Sequence, residues 1–512
     1  MKTLNVAIKT ALCGAVVGIM PATGAWAQLS TTAVNAISAG NTIYVAGSTA
    51  TDAAIQAFFA DAVAGSTVAP CQAGTYTLLS DAASGSSSYA IACTASANFA
   101  SGALTGQNIL ISKQTSGGSA IGIHNVAAGI AAANFVVTPC TALNACGISQ
   151  TIVPNAGISD VDPTTFVGTG GVTSADAQAL TAANGVEVPF APIVSYQLRN
   201  ALQTAEGLTS GSETLANVPS LTPAQLRAIY SGQMLSLGDL YVFNPTTQAT
   251  VQVDTSGSLV HICRRGNTSG TEFGANIYFF GSGCSKGSGV GTVSAPDNAS
   301  TATAGETWSA TAAQVADFVF AGSGTGDVKS CVSYATTAPG DTVAYRVGFV
   351  STDQVPTAFT SGTNPWRYVA INGNAPTIWN IQLGKYDWIT EDTFNSTSAS
   401  LALNGGLGNH GTIFSGLRNG FANVESLAQL NAASQNAAAL GTAGGAADTG
   451  IVTLGNSVLY GSSDPTGPSA PAWPAAIRLS TAGNGPNSPL SKTYPSSAVN
   501  NCNGAYQSDP TG

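Results

Sequence analysis

Three times along this chain a short β-prone run leads into a turn of small residues and then into an apolar pattern of helical spacing. The first instance runs from Thr42 to Val45, turns through Gly47-Ser48-Thr49, and continues from Asp52 to Val63 with Ile55, Phe58, Phe59 and Val63 on one helical face. The second runs from Asn108 to Ser112, turns through Thr115-Ser116-Gly117-Gly118, and predicts a helix over Ala120 to Ala131. The third runs from Leu259 to Cys263, turns through Asn267 to Thr271, and predicts a helix over Phe273 to Phe280. Such alternation points to an α/β architecture with largely parallel sheets, whose ligands lie beyond the carboxyl ends of the strands. At each turn the first helical N–H groups lack intrahelical partners, the helix dipole adds partial positive charge, and small residues allow close approach. Each helix start can therefore receive an anionic oxygen.

Charge narrows the choice of partner. Only 8% of the 512 residues are charged and the formal net charge is -10, so the chain has no surface for holding a polyanion by counterion release, and nucleic acid is excluded. A small anion is different, because neutral donors aimed at it hold it whatever the overall charge. Against this scarcity, Arg264 and Arg265 stand together immediately before the third turn, in a chain with eight arginines.

The first 27 residues read as a secretory leader, with Lys2 and Lys9, an apolar run from Ala11 to Met20, and Ala25-Trp26-Ala27 as the cleavage site. Leu12 before Cys13 argues against a lipoprotein, so a periplasmic or secreted protein beginning near Gln28 is expected. No later segment reaches the roughly 18 apolar residues of a membrane span. Without Cys13, eight cysteines remain, at 71, 93, 140, 146, 263, 284, 331 and 502, and an even number in an exported chain favours disulfides. Cys71 with Cys93 and Cys140 with Cys146 each bracket a short polar loop and are the pairs expected. No CxxC occurs, and His124, His261 and His410 lie far apart, so neither a metal nor a cofactor is expected and the histidines read as surface or packing residues.

Other segments read as scaffold. Thr222 and Pro223 mark the start of a helix through Tyr230 with Leu226 and Ile229 inward. Val343 to Val350 reads as a buried strand. Phe421, Val424, Leu427 and Leu430 fit one amphipathic helix, whereas Gly441 to Asp448 and the last forty residues read as loop or tail. Gly322 to Gly326, GSGTG, lacks the lysine of a phosphate loop and reads as a flexible turn.

In their order, these short motifs resemble those of the periplasmic phosphate-binding proteins of bacterial ABC transporters, members of the type 2 periplasmic-binding fold. GSTATDAAIQAFF is similar to the family's first turn and helix and assigns Thr49 and Ala50 to phosphate contact. TSGGS resembles its second turn, with Thr115 and Ser116 as candidates. GISDVDP supplies Asp160, although Val161 and Asp162 stand before Pro163 where the family usually has one residue. RGNTSGT assigns Arg265, Ser269, Gly270 and Thr271. VGFVS at Val347 to Ser351 and TPAQLRAIYSGQ resemble a strand and a second-lobe helix of the family.

The resemblance covers about half of the chain and leaves added material around Cys71 to Cys93, around Cys140 to Cys146 and after Ala358. It implies two lobes with mixed sheets flanked by helices and a hinge between them. Residues 28–188 form lobe 1 and 189–355 lobe 2, and 356–512 return to lobe 1 and add a C-terminal extension. It further implies a binding protein rather than an enzyme, with phosphate or a similar oxyanion as ligand and an ABC transporter permease as partner, or sequestration outside the cell. The family commonly has an aspartate where this chain has Asn267, which puts the choice of anion in question.

Chemically, the hydroxyls of Thr49, Thr115 or Ser116, Ser269 and Thr271, three helix starts and the planar fork of Arg265 would supply donors for a desolvated anion. Asp160 would repel an anion unless the ligand brings a proton, which phosphate does near neutral pH and sulfate does not. A helix cap or Asx turn at Asp160, and a solvated or ion-paired Arg265, remain open readings. Arg264 is expected on the opposite strand face, at the surface. Two other functions also stay open: a secreted structural or adhesive protein, and a secreted phosphoester hydrolase, for which no GxSxG, HExxH or Walker pattern is present.

Overall fold

The run Thr42–Gly47 forms strand β1, buried except at Tyr44, and helix α1 follows at Asp52–Ala60. Strands β2 (Thr77–Leu79), β3 (Ser88–Thr94) and β4 (Asn108–Gln114) come next, and β4 leads into helix α2 (Ile121–Ala128), which ends at a Gly129 cap, short of the span its spacing predicts. Strand β5 (Ala156–Ser159) precedes the fifteen-residue β6 (Thr181–Ser195) and helix α3 (Pro223–Tyr230). Strand β7 (Val260–Arg265) then leads into α4 (Gly270–Phe280), and β8 (Val319–Gly322) into α5 (Thr325–Val332). Strands β9 (Tyr345–Ser351), β10 (Trp366–Tyr368) and β11 (Ile389–Ser396) and helix α6 (His410–Phe421) follow, alongside further elements outside the main sheet. This computed structural model describes residues 28–60, 69–81, 88–281 and 305–421, apart from 353, 355, 357–358, 377–379, 382–384 and 405–407. The leader, the apolar spacing beyond Phe421, the tail, Cys284 and Cys502 lie outside the described residues.

The eleven strands form one mixed sheet in the order β8-β7-β9-β6-β11-β5-β1-β4-β3-β2, with β10 added to β6. Two parallel trios, β8-β7-β9 and β5-β1-β4, occupy its two halves. The antiparallel pair β6–β11 joins them: β6 takes β9 as a partner through Phe190–Val194, while β11 pairs with β5 through Thr393–Asn395. Helices flank the sheet, so the α/β class is the architecture found; the sheet is mixed, as the resemblance implies, rather than largely parallel as the alternation alone suggests. Parallel strands at the centre of such a sheet are covered on both faces, and all six residues of β7 and all seven of β9 are buried.

Scaffold details follow their local chemistry. Thr222 accepts from Gln225 N at 3.2 Å, and Gln225 Oε1 accepts from Thr222 N at 2.8 Å, a reciprocal cap ahead of Pro223. Leu226 and Ile229 face inward as their spacing requires, each burial contributing about 1.5–3 kcal/mol. Disulfides join Cys71 to Cys93 and Cys140 to Cys146, the two expected pairs, and a third, not anticipated, joins Cys263 of β7 to Cys331 of α5. Among the described residues no helix is long and apolar enough to cross a membrane.

Candidate functional site

The turn after β1 is set by a buried lysine. Lys113 of β4 donates from Nζ to Gly47 O at 2.7 Å and Ser48 O at 2.8 Å, and stands 3.4 Å from Asp52 Oδ1. Burial pushes its pKa down, opposed by Asp52 and, less, by Asp160 and Asp392. With its carbonyls held, the turn directs Ser48 Oγ to Asp160 Oδ1, while Ser48 accepts from Ala50 N at 3.0 Å. The Ala50 amide is thus engaged by Ser48, and Thr49 stands beside it, half-buried.

Asp160 follows β5 and is 1% exposed. Its Oδ1 accepts from Ser48 and its Oδ2 from Thr271 Oγ1 at 3.3 Å, so one carboxylate bonds to both halves of the sheet. Its backbone N donates to Ser119 Oγ at 3.1 Å. Desolvation raises its pKa, against the Ser48 bond, the charges of Arg265 and Lys113, and the Thr271 bond. The cap in SDVDP is Asp162, which accepts from Thr164 N at 2.7 Å. Ser269 is the N-cap residue of α4, 3% exposed, and Gly270 starts that helix against the carboxylate: a Cβ there would lie 2.7 Å from Asp160 Oδ2. Only glycine allows this approach.

Arg265 closes β7, in register with Gly322 of β8, and is 2% exposed. Its Nη1 donates to Thr49 Oγ1 at 3.1 Å and Thr325 Oγ1 at 3.3 Å, and its Nη2 to Ser323 O at 3.0 Å. Its Nε has no partner among the described residues. Burial lowers its pKa, countered first by Asp160, then by Asp327, Glu272 and Asp52, and a guanidinium so placed stays charged. Asp160 and Arg265 therefore give the site one acceptor and one cation, ringed by hydroxyls.

Two expectations are corrected here. Arg264 is not at the surface: with both faces of β7 covered it is fully buried, and its Nη1 donates to Arg265 O at 2.7 Å and Asn267 Oδ1 at 3.0 Å. Asn267 is thereby held by Arg264. The GSGTG stretch is not merely a flexible turn but the end of β8, a bend and the start of α5, pinned where Asp327 Oδ2 accepts from Ser323 Oγ at 2.7 Å and Gly324 N at 2.9 Å.

Thr115 is buried, with its carbonyl accepting from Gly118 N at 3.0 Å, and Ser116 is half-buried, with its carbonyl accepting from Gln114 Nε2 at 2.9 Å. From this turn it is the Ser119 hydroxyl that meets Asp160. The halves touch at the same place: Ala120 N donates to Thr268 O at 3.1 Å, and a Cβ on Gly118, whose φ is 68°, would stand 2.8 Å from Thr268 O. Lys113, Ser119, Ser323 and Thr325 were not singled out from the sequence. TSGGS and GSGTG carried the last three, but a chain with 59 glycines offers many similar strings.

The histidines have other partners. His124 meets Asp176 at 2.9 Å, His261 lies between Asp317 O and Asp341 Oδ2, and His410 between Leu401 O and Ala39 O. Among the described residues no group of three potential metal ligands is present.

No family model matches the chain, and no curated protein matches it. Among solved structures, a substrate-binding protein from Clostridium perfringens assigned to phosphate ABC transport, with phosphate bound, is similar over 77% of this chain and 98% of its own, at 13% identity and a TM-score of 0.37. An ABC-type phosphate transport receptor from Vibrio cholerae is similar over 70% and 87%, at 14% identity and a TM-score of 0.31. PstS from Borrelia burgdorferi is similar over 77% and 97%, at 10% identity and a TM-score of 0.29. The chemistry of the site rests on this chain's own residues.

Proposed function

We propose that this chain is an exported solute-binding protein that closes two lobes over phosphate or a closely related oxyanion. The observation that carries the reading is Asp160, a buried carboxylate bonded at once to Ser48 of one half and Thr271 of the other, beside the buried cation Arg265. A carboxylate in a donor-rich anion site favours a ligand that brings a proton, and leaves a fully deprotonated anion facing a like charge. Phosphate meets that condition and sulfate does not. In this reading residues 28–188 and the return after 356 form one lobe and 189–355 the other, with β6 and β11 as the hinge. Thr49, Thr115, Ser116, Asp160, Arg265, Ser269, Gly270 and Thr271 make up the ligand set, without catalysis; Ala50, whose N–H is donated to Ser48 Oγ, is left out of it. Three disulfides among the described residues fit an oxidising compartment. Delivery to an ABC transporter permease and retention of the anion outside the cell are the two uses such binding serves.

Calorimetric titration of the mature protein with phosphate, with sulfate and arsenate as competitors, tests the reading. Saturable phosphate binding, lost in Arg265→Ala by at least about a hundredfold, is expected. Absence of saturation at about 1 mM ligand, where binding free energy is only ~4 kcal/mol, removes the proposal.

A further inference from the structure

Arg265 Nη1 donates to two hydroxyls at once, Thr49 Oγ1 and Thr325 Oγ1, which are themselves 3.3 Å apart. A hydroxyl has one hydrogen, and one that accepts from a guanidinium must direct that hydrogen elsewhere. Facing each other, the two threonines can place only one of their two hydrogens between them. The other O–H has no acceptor among the described residues, at the same guanidinium whose Nε–H, buried with the rest of Arg265, has none. An anionic oxygen beside the buried cation would give the remaining hydroxyl hydrogen, on a half-buried threonine, an acceptor next to the buried Nε–H.

We propose that Thr325 is a ligand-binding residue of the oxyanion site, so that the anion is held from four strand–turn–helix junctions rather than three. The inference rests on the oxyanion reading above and extends it. Thr325 opens α5, an eight-residue helix, so its hydroxyl lies where the first helical N–H groups also face outward. Ser323 O takes Arg265 Nη2 at 3.0 Å and fixes the plane of the guanidinium. The carboxylate nearby does not compete for this place: Asp327 Oδ2 is occupied by Ser323 Oγ and Gly324 N, and Oδ1 accepts from Trp308 N at 3.0 Å. Asp327 is thus a positioning residue, holding the turn that presents Thr325. Thr49 and Thr325 are both half-buried, whereas Asp160 is fully buried, so this pair forms the outer rim of the site.

Phosphate titration of Thr325→Val, Thr325→Ser and Arg265→Ala beside the unsubstituted protein, with thermal melting of each, provides the test. Thr325→Val keeps the shape and removes the hydroxyl, so phosphate affinity should fall about tenfold to a hundredfold with melting unchanged, whereas Thr325→Ser should stay within about threefold. If Thr325→Val melts early, Thr325→Ala, which cannot crowd the turn, is read in its place. Unchanged affinity in the hydroxyl-free variant beside loss in Arg265→Ala overturns this inference alone. No saturable binding by the unsubstituted protein overturns the oxyanion reading and the inference with it.

Discussion

A carboxylate that already accepts from two hydroxyls, as Asp160 does from Ser48 and Thr271, still has lone pairs for a ligand's proton while it is ionised. Because burial raises its pKa, Asp160 takes up its own proton as the pH falls and then becomes a donor. On the proposed function, rejection of a fully deprotonated anion would be present above that raised pKa and lost below it. The ratio of phosphate to sulfate affinity should therefore drop by about tenfold, a change of ~1.4 kcal/mol, as the pH falls from neutral through that raised pKa. In Asp160→Asn the ratio should begin low and vary only with the titration of phosphate itself. Competition titrations over this range check it, and an identical pH response in the two proteins would show that Asp160 does not read the ligand's proton.

At the scale of elements, β11 carries the most unusual polar burden. Its eight residues, ITEDTFNS, are all buried, and the register against β6 shifts between Glu391 and Thr393, at Asp392. Neither oxygen of Asp392 has a hydrogen-bond partner among the described residues. Burial, and the negative charge of Asp160, push its pKa well above the carboxylate range, with Lys113 acting against them. The unfolded chain releases this proton near pH 4, whereas the folded chain keeps it to higher pH, so stability falls as pH rises through that window. Asp392→Asn should therefore melt at a higher temperature than the unsubstituted protein at neutral pH and show no gain below about pH 4, where both states hold the proton. Equal melting shifts at both pH values would refute the assignment.

The strands differ in how plainly their residues mark them. β1, β4 and β7 were legible because β-branched runs abut small-residue turns and helical apolar spacing. β11 was not, because the consecutive polar residues Thr390, Glu391 and Asp392 carry no apolar alternation that marks a buried strand, and only its place between β5 and β6 makes it central. β6 was hidden likewise: TAANGVEVPFAPIVS contains glycine and two prolines, which ordinarily break strands. The α5 junction was missed for lack of contrast, since its strand, VFAG, has four residues and its turn has the letters of much of the chain. Within the site, residue types that bind anions could be picked out locally. Arg264 could not, because alternation along a strand says which side a residue faces but not whether both sides are covered.

Over the whole molecule, the proposed function depends on two halves meeting where Gly118 lies against Thr268 and Ser269. Gly118→Ala puts a methyl group into that contact and should weaken phosphate binding by about tenfold. Gly106 is a matched control, with a φ of 78° and nothing within 4 Å of an added Cβ, so Gly106→Ala carries similar backbone strain without touching the other half. Equal affinity in the two variants would show that closure at Gly118 is unrelated to binding. Ligand should also stabilise the folded chain as a unit: at a hundredfold excess over Kd, phosphate should add ~2.7 kcal/mol, visible as a rise in melting temperature that sulfate does not reproduce.

The Cys263–Cys331 disulfide ties the strand that ends in Arg265 to the helix that begins with Thr325. Before oxidation, that arginine and threonine would keep their spacing through the hydrogen bonds of Arg265 to Thr325 and Ser323 and the pairing of β7 with β8, without a covalent tie. On the proposed function, a copy with reduced thiols should bind phosphate more weakly, and competence would mature with the bond. If the chain is exported as proposed, it would begin to collect phosphate only once the bond has formed. Titration before and after mild reduction measures this delay, and equal affinities would assign the bond to durability instead.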